Sequence, residues 1–422
     1  MEKIAIIGAG ISGLSMAHLL KDRHEVVIYE KDSQPGGLIR CKRVQGSLYH
    51  LCGGHVFNTK RKDVMDWFWS FFHQDNDFSK AERNSVVFME DGKQIPYPIE
   101  NHAYLLEEDM LKSFIDDLLW IKSRQRNGAY DYPLVQINNF EQFLLEKFGK
   151  TLYEAYFRPY NEKVWRRDLS RVPISWLEGK LPMPTIEEII FNNIKKVEER
   201  KFVHSTFWYE KQGGSQFIVD TLAKDMNIQC NFKRGGVIYN VKKKNWTVCG
   251  EEYEKVVFCG NIKTLLPMLE GVDFSAYDSK IDALESHGTT SVFCEIDKNP
   301  YSWIYMPSRQ HESHRIICTG NFSPSNNAPG KMTGTIEFTD ETSEEEIKDN
   351  LTRIPLHPKY LAHCYNRYTY PIQDRETRSM IKSLKEDMAR CNLYMTGRFA
   401  DWEYYNMDAA IGAAMDMCKI ME

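Results

Sequence analysis

Short apolar runs alternate with segments of helical spacing through the first half of the chain. Strict two-residue alternation takes over in the later part. Residues 4–7, all apolar, have strand length, and Leu14, Ala17, His18 and Leu20 then share one helical face. A second strand is predicted over 25–29, an aromatic amphipathic helix over 63–72, and a hairpin over 86–89 and 93–96 turned at Glu90-Asp91-Gly92. Helical spacing with charged faces marks 105–123, 140–156 and 186–201. Asn138 or Asn139 is placed to cap the second of these and Thr185 the third. Strands are predicted at 202–209, 235–241, 246–248 and 255–259, and are expected to complete one sheet. Alternation at 289–296, 301–306, 315–320, 332–338 and 363–370 reads as an antiparallel second layer, with a charged helix at 343–353. A strand at 393–396 and an apolar helix at 408–421 follow.

This order predicts an α/β fold in three parts. A Rossmann-like nucleotide-binding domain is assembled from 1–102, 202–286 and 377–422. A helical domain at 103–201 interrupts it, and 287–376 forms an antiparallel β-sheet substrate domain.

The first strand leads into Gly8, Gly10 and Gly13 at G-x-G-x-x-G spacing, and the second ends on Glu30. That is the strand, turn, helix, strand unit that holds a dinucleotide. Gly8 permits the turn, Gly10 lets backbone approach a pyrophosphate, and Gly13 allows close helix packing. The helix start at Ile11, Ser12 and Gly13 offers amides and a partial positive charge to phosphates. Glu30, about 22 residues after Gly8, is placed to accept ribose hydroxyls. Gln34-Pro35-Gly36-Gly37 follows closely and gives another close backbone approach. Beside the first motif this arrangement resembles FAD proteins of the glutathione reductase and amine oxidase type more than NAD dehydrogenases. The residues alone leave an ordinary Pro-Gly-Gly turn open. Gly53-Gly54, followed by His55, suggests backbone against something flat or phosphorylated, and Gly397-Arg398 before the last helix again offers amides to an anion.

Composition changes this picture little. The 422 residues include 42% hydrophobic and 13% aromatic side chains, enough for a sizeable core, and the net charge of −5 argues against nucleic acid as the main partner. Ten cysteines without a C-x-x-C pair fit a reduced, cytoplasmic protein with no metal framework. Residues 4–20 are uncharged but short and glycine-containing, so no integral membrane segment is expected.

Further stretches carry a family likeness. They are PGGLI at 35–39, GGHVF at 53–57, PYPIEN at 96–101, RPYNEKVW at 158–165 and WLEGK at 176–180, then QGGS at 212–215, WIYMP at 303–307, HRIICTGNFSP at 314–324, YP at 370–371 and GRFADWEY at 397–404. In this combination the chain resembles UDP-galactopyranose mutases, the eukaryotic type somewhat more than the bacterial. The resemblance implies a flavoenzyme that interconverts a UDP-hexopyranose and its furanose without net redox change, with N5 of reduced FAD as the nucleophile, in cell-surface polysaccharide synthesis.

It also implies roles for particular residues. Arg315 and Lys180, with His55 facing the flavin, form the expected catalytic set. Tyr305, Tyr370 and Tyr404 match phosphate-binding tyrosines. Tyr97, Glu100 and Tyr156 fall where uridine is held, and Asn161 and Trp165 near the sugar. The cofactor set is Gly8, Gly10, Ile11, Ser12, Gly13, Glu30, Lys31, Gly36, Gly37, Leu38, Gly53, Gly54, His55, Val237, Gly397, Arg398, Asp408 and Ala410. No metal is expected, and the partner is a UDP-sugar. An NAD(P)H reductant and a homo-oligomer are allowed for, though no separate NADPH motif is visible.

Three departures stand out. Lys180 replaces an arginine and loses its bidentate fork. Phe322 replaces a tyrosine, and Glu100 replaces an amide and is expected to add negative charge. They suggest a different sugar or base, or a different reaction on the same scaffold. The alternative is an FAD-dependent amine oxidase, although those proteins carry an acid where this chain has Arg398.

Overall fold

The computed structural model describes residues 1–126, 137–174, 184–197, 206–233 and 236–422. Its centre is a five-stranded parallel sheet in the order Leu393–Met395, Lys255–Phe258, Lys3–Ile7, Glu25–Tyr29, Ile228–Gln229. Alternation along the central strand sends Ile4 and Ile6 to one face and Ala5 and Ile7 to the other, and both faces are covered. The helices Ile11–Leu20 and Met407–Met421 pack together on the Ile4 face through Leu14, Ala17, Ile411 and Ala414.

Only part of the 202–259 region joins this sheet. Lys255–Phe258 does. Val237–Asn240 and Asn245–Val248 form a separate sheet with Glu251–Tyr253 and Leu269–Glu270. The tight turns between the first three of these strands impose antiparallel pairing, which excludes them from a parallel sheet that needs crossovers. Trp246, Val248 and Tyr253 instead pack over Ala5 and Ile7. Thr206–Glu210 pairs with Phe78–Glu82 in a two-stranded ribbon.

The second large sheet has seven strands in the order Lys359–Ile372, Glu285–Glu295, Thr333–Thr339, Arg315–Ile317, Trp303–Tyr305, Ser85–Phe88, Gln94–Pro96. It is mixed rather than purely antiparallel. The hairpin from 85 to 96 reaches across from the N-terminal region and lies parallel to Trp303–Tyr305. Val86, Ile304, Ile316 and Ile336 face one way, into an apolar core under the helix Glu344–Leu351. Trp303, Tyr305, Arg315 and Glu337 occupy the alternate positions and face the other way.

The helical segment comprises Glu108–Arg126, Phe140–Leu152, Arg158–Trp165 and Ile186–Lys195. Asn139 caps the second by accepting from the Gln142 amide, and Thr185 with Glu188 forms a capping box on the last. A five-residue π-turn at Tyr153–Phe157 precedes Arg158–Trp165, a local geometry common near functional sites. All ten cysteines are unpaired. Among the described residues no helix is long and apolar enough to cross a membrane.

Ser343 caps Glu344–Leu351. Its hydroxyl accepts from the Glu346 amide at 3.3 Å while the Glu346 carboxylate accepts from the Ser343 amide at 3.0 Å. Ser343→Ala should therefore cost about 1 kcal/mol in urea unfolding. A change below a few tenths would mean the box is not formed.

Candidate active site

The turn after the first strand builds a cradle. An added Cβ at Gly13 would stand 1.9 Å from the Gly8 carbonyl oxygen, so helix and turn can touch only through glycine. At Gly10 an added Cβ meets nothing within 4 Å, which leaves open space before the start of Ile11–Leu20. No side chain caps that helix, and Gly10 is its N-cap. Gly36 donates to the Ala9 carbonyl at 2.8 Å, and exposed Gly37 approaches Gly10. Glu30 is buried and accepts from the Ala9 and Asp32 amides at 2.7 and 2.9 Å, and lone pairs remain for hydroxyl donors. Gly397 lies against Ser12 on the far side, where an added Cβ would meet Oγ at 2.9 Å. A glycine-lined hollow at an uncapped helix start suits a dinucleotide pyrophosphate.

The other cofactor candidates surround this hollow unevenly. Lys31 is exposed at its rim. Asp408 is in the first turn of Met407–Met421, which also lacks a side-chain cap, and Ala410 is buried one turn on. Val237 is buried between two neighbouring strands of the small sheet and belongs to the cluster behind Tyr29.

From the cradle a closed circuit of contacts runs to the seven-stranded sheet and back. His55 Nε2 lies 3.1 Å from the Leu38 carbonyl. The Gly53 amide donates to Glu337 Oε1 at 3.1 Å, and Gly54 packs on Ile317. Glu337 Oε2 accepts from Arg315 Nε, and Arg315 Nη2 donates to the Tyr370 hydroxyl at 3.1 Å. Tyr370 stacks on Tyr404 at 5.2 Å, and the Arg398 guanidinium lies 4.0 Å from the Tyr404 ring centre. Arg398 follows Gly397, which returns to Ser12. Arg398 Nε is buried with no hydrogen-bond partner among the described residues, a donor left for something in the hollow.

Electrostatics follow from this packing. Burial alone would raise the Glu337 carboxyl, but Arg315, with His314 beside it, overrides burial and holds it down to about 2. Burial, then the Arg398 charge, lowers His55 to about 4, so it is a neutral imidazole at physiological pH.

Aromatic rings extend the site outward. Tyr305 is in register with Arg315 on the adjacent strand. Tyr305 meets Tyr97 at 5.1 Å and Tyr160 at 5.6 Å, and Tyr160 stacks on Tyr156 at 5.7 Å. Burial, followed by the phenols of Tyr97, Tyr160 and Tyr305 and the Glu100 carboxyl, raises Tyr156. Asn193 holds the Glu100 carbonyl at 2.8 Å, tying this wall to the helix Ile186–Lys195. Burial raises Glu100 itself to about 7, so near neutrality it is about half protonated. The expected full negative charge is therefore corrected: much of the time Glu100 offers a hydroxyl donor, as an amide would offer N–H.

Trp165 and Asn161 lie deeper. The Trp165 carbonyl faces His287 Nε2 at 2.8 Å, and His287 is in register with Tyr370. Asn161 donates to the Phe157 carbonyl within its own helix. Phe322 is caged by Phe207, Tyr209 and Trp303. Lys180, with the rest of 176–180, lies outside the described residues. Glu337 and Tyr160 were not anticipated from sequence. The only signal for Glu337 was a polar face on an alternating strand, and its meeting with Arg315 depends on register.

These features have counterparts in known proteins. An NAD(P)-binding Rossmann-like domain model matches residues 6–72. The chain is 22% identical to the UDP-galactopyranose mutase of Mycoplasma genitalium, over 97% of this chain and 92% of that one. It is 23% identical to the dTDP-fucopyranose mutase of Escherichia coli, over 100% and 98%. The crystal structure of reduced UDP-galactopyranose mutase has the same fold, with a TM-score of 0.85 at 23% identity, covering 100% of this chain and 96% of the other.

Behind His55 lies a buried polar cluster. His50 sits between the Tyr209 hydroxyl at 2.8 Å and Ser215 Oγ at 3.1 Å, and its ring is 5.8 Å from that of His55. Glu210, next to Tyr209, is fully buried, and neither carboxyl oxygen has a hydrogen-bond partner among the described residues. Burial raises it from 4.5 to about 8. Because the folded value lies above the unfolded one, its contribution to stability is full below about pH 4.5 and is lost as pH rises through about 8. Glu210→Gln should accordingly raise Tm more at about pH 8.5 than at about pH 5. A Tm difference independent of pH would refute the buried-acid assignment.

Proposed function

Fold and remote sequence similarity point to the UDP-galactopyranose mutase-like FAD-binding superfamily, and from this we propose that the chain is an enzyme that interconverts the pyranose and furanose forms of a nucleoside-diphosphate sugar. FAD in the glycine cradle, in its reduced form, would supply the nucleophilic N5. The observation that carries the reading is the closed circuit from Ser12 through His55, Glu337, Arg315, Tyr370 and Arg398. It has a half-buried cation and two phenols at the edge of the hollow with the shape for a dinucleotide.

The residues divide the work. Arg315, Tyr305, Tyr370 and Tyr404 grip the diphosphate, so the leaving nucleotide stays in place for its return. Tyr97, Tyr156 and Glu100 hold the base, with Asn161 and Trp165 nearer the sugar. Neutral His55 orients the Gly53-Gly54 loop against the cofactor without adding charge. Lys180 is a second candidate cation for the diphosphate. In this reading 1–102, 202–286 and 377–422 form the cofactor domain, 103–201 the helical domain and 287–376 the substrate domain, with the hairpin from 85 to 96 lent to the substrate sheet. An amine oxidase would have to admit a cationic substrate past Arg398, which disfavours that alternative.

The assay uses flavin-loaded protein with UDP-galactopyranose and with dTDP-fucopyranose, read by chromatography of the nucleotide sugars. A furanose product should form after dithionite reduction and not with oxidised protein. NADH and NADPH in place of dithionite test the external reductant. Arg315→Ala should lower kcat/KM by about 30- to 1,000-fold, the effect of removing one member of a hydrogen-bonded charge pair whose other member, Glu337, is buried. No product from any nucleotide sugar with reduced protein would overturn the proposal.

A further inference from the structure

The face of the seven-stranded sheet that carries Arg315 holds a second guanidinium. Arg83 precedes the strand Ser85–Phe88, which runs parallel to Trp303–Tyr305 with Ser85 opposite Trp303. Its backbone position is pinned: the Ser302 amide donates to the Asn84 carbonyl at 2.7 Å, and the Asn84 amide donates to Ser302 Oγ at 3.2 Å. Arg83 Nε donates to Ser85 Oγ at 2.9 Å, and Nη2 donates to the Tyr305 hydroxyl at 2.5 Å. The guanidinium carbon lies 5.1 Å from the Trp303 ring centre and 5.6 Å from that of Tyr97. Two aromatic contacts and two hydrogen bonds fix the plane of the fork.

The placement matters because of charge. A diphosphate ester carries two negative charges at neutral pH, one on each phosphoryl group. Arg315 is already paired with buried, ionised Glu337, so together they contribute no net charge. Arg398 lies toward the cradle, stacked on Tyr404. Tyr305 is in register with Arg315 on one side and receives Arg83 on the other. Two guanidinium groups thus flank one phenol on a single face, at the inner end of the Tyr97–Tyr156 wall. Two anionic groups joined by one bridging oxygen would give each guanidinium a partner.

We propose that Arg83 binds the diphosphate of the nucleotide together with Arg315, across Tyr305, and so selects nucleoside diphosphates over monophosphates. The proposal rests on the nucleotide-sugar reading above. Arg83 then acts directly on the ligand, with Tyr97 and Trp303 holding its fork in the plane that two phosphoryl oxygens require.

The test is isothermal titration of flavin-loaded wild-type, Arg83→Gln and Arg83→Lys proteins with UDP, UMP and uridine, and with dTDP, dTMP and thymidine, at two salt concentrations. Loss of a charged hydrogen-bonding partner should weaken diphosphate binding in Arg83→Gln by about 10- to 100-fold. Monophosphate should lose less, nucleoside should be unchanged, and diphosphate affinity should become less sensitive to salt. Arg83→Lys should recover part of the loss, and its soluble, flavin-bound state covers the case in which Arg83→Gln does not fold. Diphosphate affinity within twofold of wild type in Arg83→Gln, or in Arg83→Lys where only that variant folds, would overturn the proposal. So would equal weakening of nucleoside and diphosphate, which would make Arg83 a prop for the aromatic wall. If wild-type protein binds neither UDP nor dTDP, the nucleotide-sugar reading itself fails, a result separable from an unaltered Arg83 variant.

Discussion

The ion pair between Arg315 and Glu337 is the interaction on which the site depends. Glu337 is buried, where a lone charge costs several kcal/mol, so its carboxylate needs the half-buried Arg315 beside it. Glu337 does more than neutralise. Its second oxygen takes the Gly53 amide, which fixes the loop carrying His55 over the cradle. The same carboxylate therefore positions both the cation of the candidate substrate pocket and the loop of the candidate cofactor pocket. Because Arg315 and Glu337 are directly opposite on paired strands, the sheet's register sets this geometry, and a one-residue slip of either strand would send its member of the pair to the apolar face under Glu344–Leu351.

That dependence on register explains what could be read from the sequence. The cradle was legible because its determinants are local: Gly8, Gly10, Gly13 and Glu30 lie within one strand–helix–strand unit. Most strands of the seven-stranded sheet were legible by alternation, and Asn139 and Thr185 as caps by their position before apolar periodicity. Pairing was not legible. Val237–Asn240 and Asn245–Val248 have ordinary strand composition, and only their short turns and the bulk of Trp246 move them out of the parallel sheet.

Charged residues were harder to place. Arg315 and Glu337 read singly as exposed positions of half-buried strands, and their burial follows from a layer above them that no local pattern describes. The Arg315 assignment came from family resemblance; Glu337 lacked even that. Glu100 was read as a fixed negative charge because sequence carries no information on desolvation, which raises it to about 7. The polar cluster of His50, Tyr209, Ser215 and Glu210 draws on segments far apart in the chain, so no spacing rule could find it.

The helix Met407–Met421 packs against Ile11–Leu20, and Gly397 closes on Ser12. Nearly the whole polypeptide separates these partners. On the ribosome, the first glycine turn emerges hundreds of residues before the segment that completes its far wall. Until then its amides face water, and nascent chains have no finished hollow with which to retain a dinucleotide. A nascent chain that stops short of Gly397 therefore lacks one wall of the hollow.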